Sequence, residues 1–301
     1  MNKICADVQF AQEQRKSKTV YDNIRKITES RAATLRTIKS ANGKILFDPE
    51  EVKSRWKDYF EALYNDSNPV DESVPSEILS ENSTERDTSG NTEPDISRDE
   101  IVLAIKCLKQ GKSPGLENTT SDEIKAAGEI EVDVLHYLCK QIWTTEKYSE
   151  NWRKAIIVPI YKKQDKLCCD NYRGISLLCH SEKIIASVIL NRIRQKTGVV
   201  LSEAQAGFRL GRSTIDQLFT LRQLTEKYTE YNKIPYICYM DFKKVFDSIW
   251  SKGLWQIMRH LGYPEKIVRL LEKLYEKMLS AVRVDGDITE WFGTLVGVLQ
   301  D

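Results

Sequence analysis

Residues 236–250 read YICYMDFKKVFDSIW. An apolar and aromatic run of buried-strand type, starting near residue 235, leads into Asp241, and a second carboxylate follows at Asp247. A carboxylate at the end of a rigid strand can be held in fixed geometry. Mg²⁺ requires that, because it tolerates little departure from octahedral oxygen coordination. In phosphoryl and nucleotidyl transfer two such ions clamp the attacking and leaving oxygens. Taken alone, an Asp after a strand is more often a turn former or a helix cap, and Asp247-Ser248 reads equally well as the N-cap of the next helix.

Outward from this stretch the chain alternates helices and strands without regular βαβ spacing, which predicts an α+β fold. Upstream, KAIIVPIY (154–161) reads as a buried strand, 174–178 as a short second strand, 180–196 as a helix and 213–230 as another. Helices are also expected near 98–109, 121–127 and 131–147, the first opened by the capping box Ser97-x-x-Glu100. Downstream, helices near 252–261 and 264–277 precede LSAVRVDGDITEWF (279–292), a hairpin turning at Asp285-Gly286. Near the N-terminus, 7–35 has helical periodicity and 36–47 reads as a hairpin turning at Asn42-Gly43. Asp48-Pro49 then opens a helix to Tyr64, with Val52, Trp56, Tyr59, Phe60 and Leu63 on one face.

Three domains are expected: a mostly helical segment 1–65, a flexible acidic linker 66–97, and a main body 98–301. The linker holds nine acids and one base, Arg86, and has too little apolar surface to order itself. Without it the remainder carries 44 basic and 35 acidic residues, a net charge of +9 hidden behind the whole-chain value of +1. A basic body suits a polyanionic partner. No apolar run of about 18 residues and no secretory leader is present, so neither membrane insertion nor secretion is expected, and an intracellular site in cytoplasm or nucleus fits best. Seven scattered cysteines without C-x-x-C predict neither a disulfide framework nor a zinc site, and most read as small buried apolar residues. Three widely spaced histidines (His136, His180, His260) give His-based catalysis little support.

The stretch at 236–250 resembles motif A of reverse transcriptases. The likeness continues in order through NWRKAIIVPIYKKQD (151–165), NYRGISLL (171–178), KIIASVILNRI (183–193), EAQAGFRLGRSTIDQLFTLRQL (203–224), VRVDGDITEWF (282–292) and VGVLQ (296–300). Together these resemble the reverse transcriptase of a LINE-like (jockey- or RTE-type) non-LTR retrotransposon over residues 98–301. Residues 1–65 are similar to the spacer that precedes the polymerase in such elements.

The resemblance implies the fingers and an incomplete palm of a right-hand polymerase, with an RNA template, a DNA primer and dNTP as partners and two Mg²⁺ ions as cofactors. It implies that Asp241 binds the metals, with the backbone carbonyl of Phe242 as a further ligand. Phe246 would lie under the incoming sugar and exclude a 2′-hydroxyl; without the motif around it, it reads as a core aromatic. Lys163 and Arg173 would close on the triphosphate, Gln300 would contact the template base or the nucleotide, and Lys162, Arg209 and Arg212 would face nucleic acid. On charge alone Lys162-Lys163 reads as a solvated turn. Ser213-Thr214 would cap the helix that follows Arg212.

Several positions depart from the family pattern. Val245 stands for a small Ala, and Leu299 and Asp301 stand for Arg and Gly. Pro114-Gly115-Leu116-Glu117-Asn118-Thr119 replaces P-G-x-D-G-I. No adjacent Asp-Asp pair, which the family's Y/F-x-D-D carries, occurs in the 301 residues. The expectation is therefore a fragment without polymerase activity of its own, whose palm sheet would leave unpaired backbone and apolar surface. The alternative is a non-catalytic RNA- or DNA-binding protein that keeps the basic fingers surface.

Overall fold

Apolar β-branched runs need partners on both edges, and the sheet is built around the most apolar of them. A computed structural model describes residues 36–65, 93–242 and 244–298. Strand β3 (Lys154–Tyr161) is central. It pairs antiparallel with β4 (Tyr172–Leu177) and parallel with β5 (Leu279–Val284), which also carries β6 (Asp287–Ile288) and β7 (Phe292–Gly293). The strand expected at 154–161 matches the observed bounds, and the one expected at 174–178 forms two residues earlier. The hairpin at Asp285-Gly286 forms as well, both residues having positive φ (50° and 100°).

The N-terminal part of the described chain folds as its turn chemistry dictates. Strands β1 (Ile38–Lys39) and β2 (Ile45–Leu46) pair across a turn in which Gly43 has φ +80°. Asp48 then caps helix α1 (Pro49–Tyr64), accepting from the backbone N–H groups of Glu50 and Glu51 at 3.1 Å each. Its buried face is Val52, Trp56, Phe60 and Tyr64. That face packs on one side of the sheet with Ile157, Tyr172, Val282, Val284 and Phe292, so α1 shares a core with strands that begin 90 or more residues after it ends. Gly174 permits the approach, since a Cβ there would lie 2.8 Å from Phe60 Cε1 and 3.1 Å from Ile157 Cγ2. Burying each large apolar side chain contributes about 1.5–3 kcal/mol.

The second core is helical: α2 (Arg98–Cys107), α3 (Ser121–Ala126), α4 (Gly128–Thr145), α5 (His180–Val200) and α8 (Glu265–Tyr275) meet around Ile101, Leu135, Trp143, Ile184 and Leu270. Helix α7 (Ser251–His260) packs on α8 through Trp255, Met258 and Val268. The Ser97–Glu100 capping box forms at the start of α2. Residues 93–97, assigned to the linker by composition, pack instead against the body. Ile96 is buried, and the Arg192 guanidinium donates to the carbonyls of Pro94 and Asp95 as well as to Glu100. Residues 7–35 and 66–92 lie outside the described residues. Cys139, Cys169 and Cys179 are buried as expected, whereas Cys107 and Cys238 are exposed.

The run Pro114–Thr119 has a structural explanation. Helix α5 has no cap of its own from Cys179. Glu117 supplies one from 63 residues upstream, accepting from the N–H of His180 and the hydroxyl of Ser181 (2.9 Å). A carboxylate there also complements the helix dipole, worth about 1 kcal/mol. Gly115 brings the loop close enough, because a Cβ on it would lie 2.5 Å from the backbone of Leu178.

One expected element is missing. Residues 235–242 form no strand and are solvent-exposed, with Tyr236 at 93%, Tyr239 at 80% and Phe242 at 73% exposure. Helix α6 (Thr214–Glu230), capped by Ser213 as expected, buries none of its residues. A strand exists only through a partner ladder. Both sides of β3 and β5 are taken, and among the described residues no strand pairs with 235–242. Exposed apolar side chains are gathered on this segment and on α6, among them Phe219, Leu224, Tyr236 and Met240.

Gly115→Ala is expected to cost about 1–3 kcal/mol by forcing the loop off α5, measured as a fall in the denaturation midpoint. A second test concerns Glu146, whose carboxylate accepts from Arg269 and Lys273 at 2.8 Å each. The Arg269 and Lys273 hydrogen bonds lower its pKa to about 2 from an ordinary 4.5. This stabilisation is complete above 4.5 and is lost as pH falls toward 2. Glu146→Gln is therefore expected to melt lower than the parent at neutral pH, the gap closing in acid.

Candidate nucleotide and metal site

Three parts of the chain converge beside β4. The β3–β4 hairpin loop is closed by a 2.9 Å bond from the Lys162 N–H to the Asn171 carbonyl, with Asp170 in a 3-10 turn just before β4. Arg173 follows in β4, opposite Ile160. Helix α1 contributes Tyr59, Phe60 and Leu63, and the loop after residue 240 contributes Asp241, Phe242, Lys244, Phe246 and Asp247. Together they line a cleft of about 360 Å³.

The loop after Asp241 is tightly turned. Lys244 has a left-handed backbone (φ 51°) and leads into a 3-10 turn, Val245–Ser248. The turn is fixed from a second direction. Val298 donates to the Phe246 carbonyl at 2.7 Å and Gly297 to the Ile249 carbonyl at 2.8 Å. Only glycine fits at 297, where φ is +88° and a Cβ would sit 2.7 Å from the Asp247 carbonyl. The same loop reaches back to α1, the N–H groups of Leu295 and Val296 donating to the Tyr64 carbonyl at 3.2 and 3.1 Å.

Of the expected site residues, Asp241, Phe242, Phe246, Arg173 and Lys162 share this cleft. Lys163 is exposed in the hairpin loop and does not line it. Arg209 is engaged elsewhere, its guanidinium donating to the carbonyls of Gly198, Ser202 and Gln205 at 3.0, 2.7 and 3.3 Å. Arg212 pairs with Glu203. Phe246 meets the exposed ring of Phe208 edge-on at 5.7 Å. Gln300 lies outside the described residues.

Sequence reasoning missed two features. Asp247 caps no helix, since α7 begins at Ser251 after Trp250 with no side-chain cap. It faces the cleft instead, 3.5 Å from the Tyr64 hydroxyl. Burial pushes its carboxyl pKa upward, against the pull of Lys244, the Tyr64 hydrogen bond and Arg173. The second feature is the wall supplied by α1, which no motif signalled.

Cations (Lys162, Arg173, Lys244) and carboxylates (Asp170, Asp241, Asp247) thus surround one cleft with an aromatic floor, a set suited to a phosphorylated ligand with a flat base or sugar. A pair of Mg²⁺ ions is another matter. Among the described residues no three Asp, Glu, His or Cys side chains come together to hold a metal ion, so these donors do not fit a two-ion site. No helix among those residues is long and apolar enough to cross a membrane.

Residues 160–299 match the family "Reverse transcriptase (RNA-dependent DNA polymerase)", which takes in the hairpin, Arg173, Asp241 and Phe246. Residues 160–299 are thus similar to a LINE-like reverse transcriptase. It is 29% identical over 62% of its length to the "Probable RNA-directed DNA polymerase from transposon BS" of Drosophila melanogaster, covering 21% of that protein. It is 25% identical over 64% of its length to the RNA-directed DNA polymerase from mobile element jockey of the same fly, again covering 21%. With a type-1 retrotransposable element R1 polyprotein of Bradysia coprophila it shares 26% identity over 52% of its length, covering 16% of that protein. The chain thus spans about a fifth of the length of the first two of these relatives.

The exposed run before Asp241 makes a prediction. Limited chymotryptic digestion is expected to cut first at Tyr236, Tyr239 or Phe242, as read by mass spectrometry. First cuts at aromatic residues of β3, β4 or α1 would contradict the exposure described.

Proposed function

We propose that the cleft is the deoxynucleoside triphosphate pocket of an RNA-directed DNA polymerase domain, with residues 98–301 forming fingers and an incomplete palm. The observation that carries this reading is the convergence of Arg173, Lys162, Phe246 and Asp241 on one cleft from positions up to 84 residues apart. Arg173 presents a planar fork to phosphate oxygens, and Lys162 adds a point charge. Lys163, in the hairpin loop, would join them when the hairpin closes over a nucleotide. Phe246 would lie against the sugar and leave no room for a 2′-hydroxyl. Asp241 and the Phe242 carbonyl would meet the metal that arrives with the triphosphate, and Gln300 would contact the templating base or the nucleotide. Arg212 is better placed than Arg209 to meet a nucleic-acid backbone, because the Arg209 guanidinium is tied to carbonyl groups.

Of the cleft's carboxylates only Asp241 stands at a family metal-ligand position, and the adjacent Asp-Asp pair that would supply the others does not occur in the sequence. These 301 residues are therefore expected not to extend a primer. Oligo(dT) on poly(rA) with the purified chain tests this, and extension that vanishes in Asp241→Ala would overturn it. Binding is tested separately with fluorescent dATP and Mg²⁺. Arg173→Ala is expected to weaken it tenfold or more, on the order of 1.4 kcal/mol, and Phe246→Val to reduce the preference for dATP over ATP.

A second reading, RNA or DNA binding without catalysis, is favoured by a separate groove of about 930 Å³ on the opposite side of the sheet from α1. Val158, Ile160 and Ile175 line it, with Lys109, Lys183 and Arg283 among its basic residues. Affinity for single-stranded RNA that falls steeply with salt, unaffected by Arg173→Ala, would support it.

A further inference from the structure

We propose that Lys244, Tyr59 and Asp170 form a positioning clasp that makes the upstream helix α1 a working part of the nucleotide pocket. The clasp rests on the reading of the cleft as a triphosphate site and adds to it an element upstream of the family match, which begins at residue 160.

The three residues come from three walls of the cleft. Lys244 Nζ donates to the Tyr59 hydroxyl at 2.6 Å and to Asp170 Oδ1 at 3.0 Å, and the Tyr59 hydroxyl donates to the same Asp170 oxygen at 3.2 Å. The Lys244 ammonium also lies 4.9 Å from the centre of the Tyr59 ring. That ring is itself fixed, edge-on to Trp56 at 6.2 Å and to Phe60 at 5.1 Å. Lys244 therefore reaches onto a rigid face of α1, and it does so from a left-handed backbone that turns the chain between Asp241 and Phe246. Asp170 completes the closure at the base of the hairpin, three residues before Arg173.

A lysine three residues after a metal-binding carboxylate invites the reading of a phosphate ligand. The geometry assigns it otherwise. Two of its three N–H donors are held by Tyr59 and Asp170, and its side chain is only 24% exposed. Lys244 fixes where Asp241 and Phe246 stand relative to Arg173, while Arg173 and Lys162 face the ligand. On the far side the Tyr64 carbonyl and Asn65, which donates to the Gly293 carbonyl at 2.8 Å, hold the 293–296 loop to the same helix. The C-terminal half of α1 is thus the common anchor of both loops that flank the cleft.

A double-mutant cycle on the 301-residue chain tests this, using the dissociation constant of fluorescent dATP with Mg²⁺ and amide exchange at residues 244–248. Tyr59→Phe and Lys244→Met are each expected to raise the dissociation constant about fivefold, the scale of one partly exposed charged hydrogen bond. The double variant is expected to be no worse than either single one, and all three are expected to exchange faster at 244–248. A phosphate-ligand lysine gives the opposite pattern: Tyr59→Phe binds like the parent, Lys244→Met alone loses affinity, and exchange stays unchanged. That result, or additive losses, overturns the clasp. Should the parent bind no dATP, the nucleotide reading fails, and exchange at 244–248 still decides the clasp: unchanged protection in the variants rejects it.

Discussion

Helix α1 lies flat on the sheet because position 174 carries no side chain. A methyl group there would meet Phe60 and Ile157 at once, and the helix would have to lift off β4. Most of the cleft follows from that close approach. Tyr59 and Leu63 become a wall, the Tyr64 hydroxyl reaches Asp247, and the end of the helix is near enough to take the 295–296 amides onto its last carbonyl. The aromatic packing that stabilises α1 and the geometry that shapes the cleft are the same contacts seen from two sides.

Much of the fold could be read from residues whose local chemistry leaves few choices. The run KAIIVPIY has strand chemistry throughout and forms the central strand. Asp48-Pro49, Ser97 and Ser213 cap helices where they are expected to, and Asn42-Gly43 and Asp285-Gly286 turn hairpins. The stretch PYICYMDF has equally good strand chemistry and is not a strand, because a ladder needs a neighbour and propensity cannot supply one. Gly115 was legible only as part of a pattern and Glu117 only as a departure from it. Their purpose, a cap delivered to a distant helix, depends on a tertiary contact that no spacing rule encodes.

The candidate site divides in the same way. Asp241, Phe246 and Arg173 sit in segments whose order along the chain is recognisable, and the fold brings them together. Asp247 looked like a capping residue because Asp-Ser before a helical run usually is one. The three-residue gap before Ser251 turns it toward the cleft instead. Arg209 looked like a phosphate ligand because it lies in a basic, glycine-flanked turn, yet nearby carbonyls occupy its guanidinium. Charge in a sequence marks where an anion could bind and gives no measure of how far neighbouring backbone already satisfies it.

The parallel pairing of β3 with β5 sets a schedule for the chain's own synthesis. Lys154 meets Leu279, so the central strand waits for its partner while all of α5, α6, α7 and α8 is made. Until then one edge of β3 is open and the surface that will receive α1 is only partly built. Helices α2 to α5 can gather around Ile101 and Ile184 during that interval, but the core between α1 and the sheet closes late, when β5 and β7 arrive on the same helix. The order of emergence from the ribosome thus makes the cleft the last part of the described molecule to take shape.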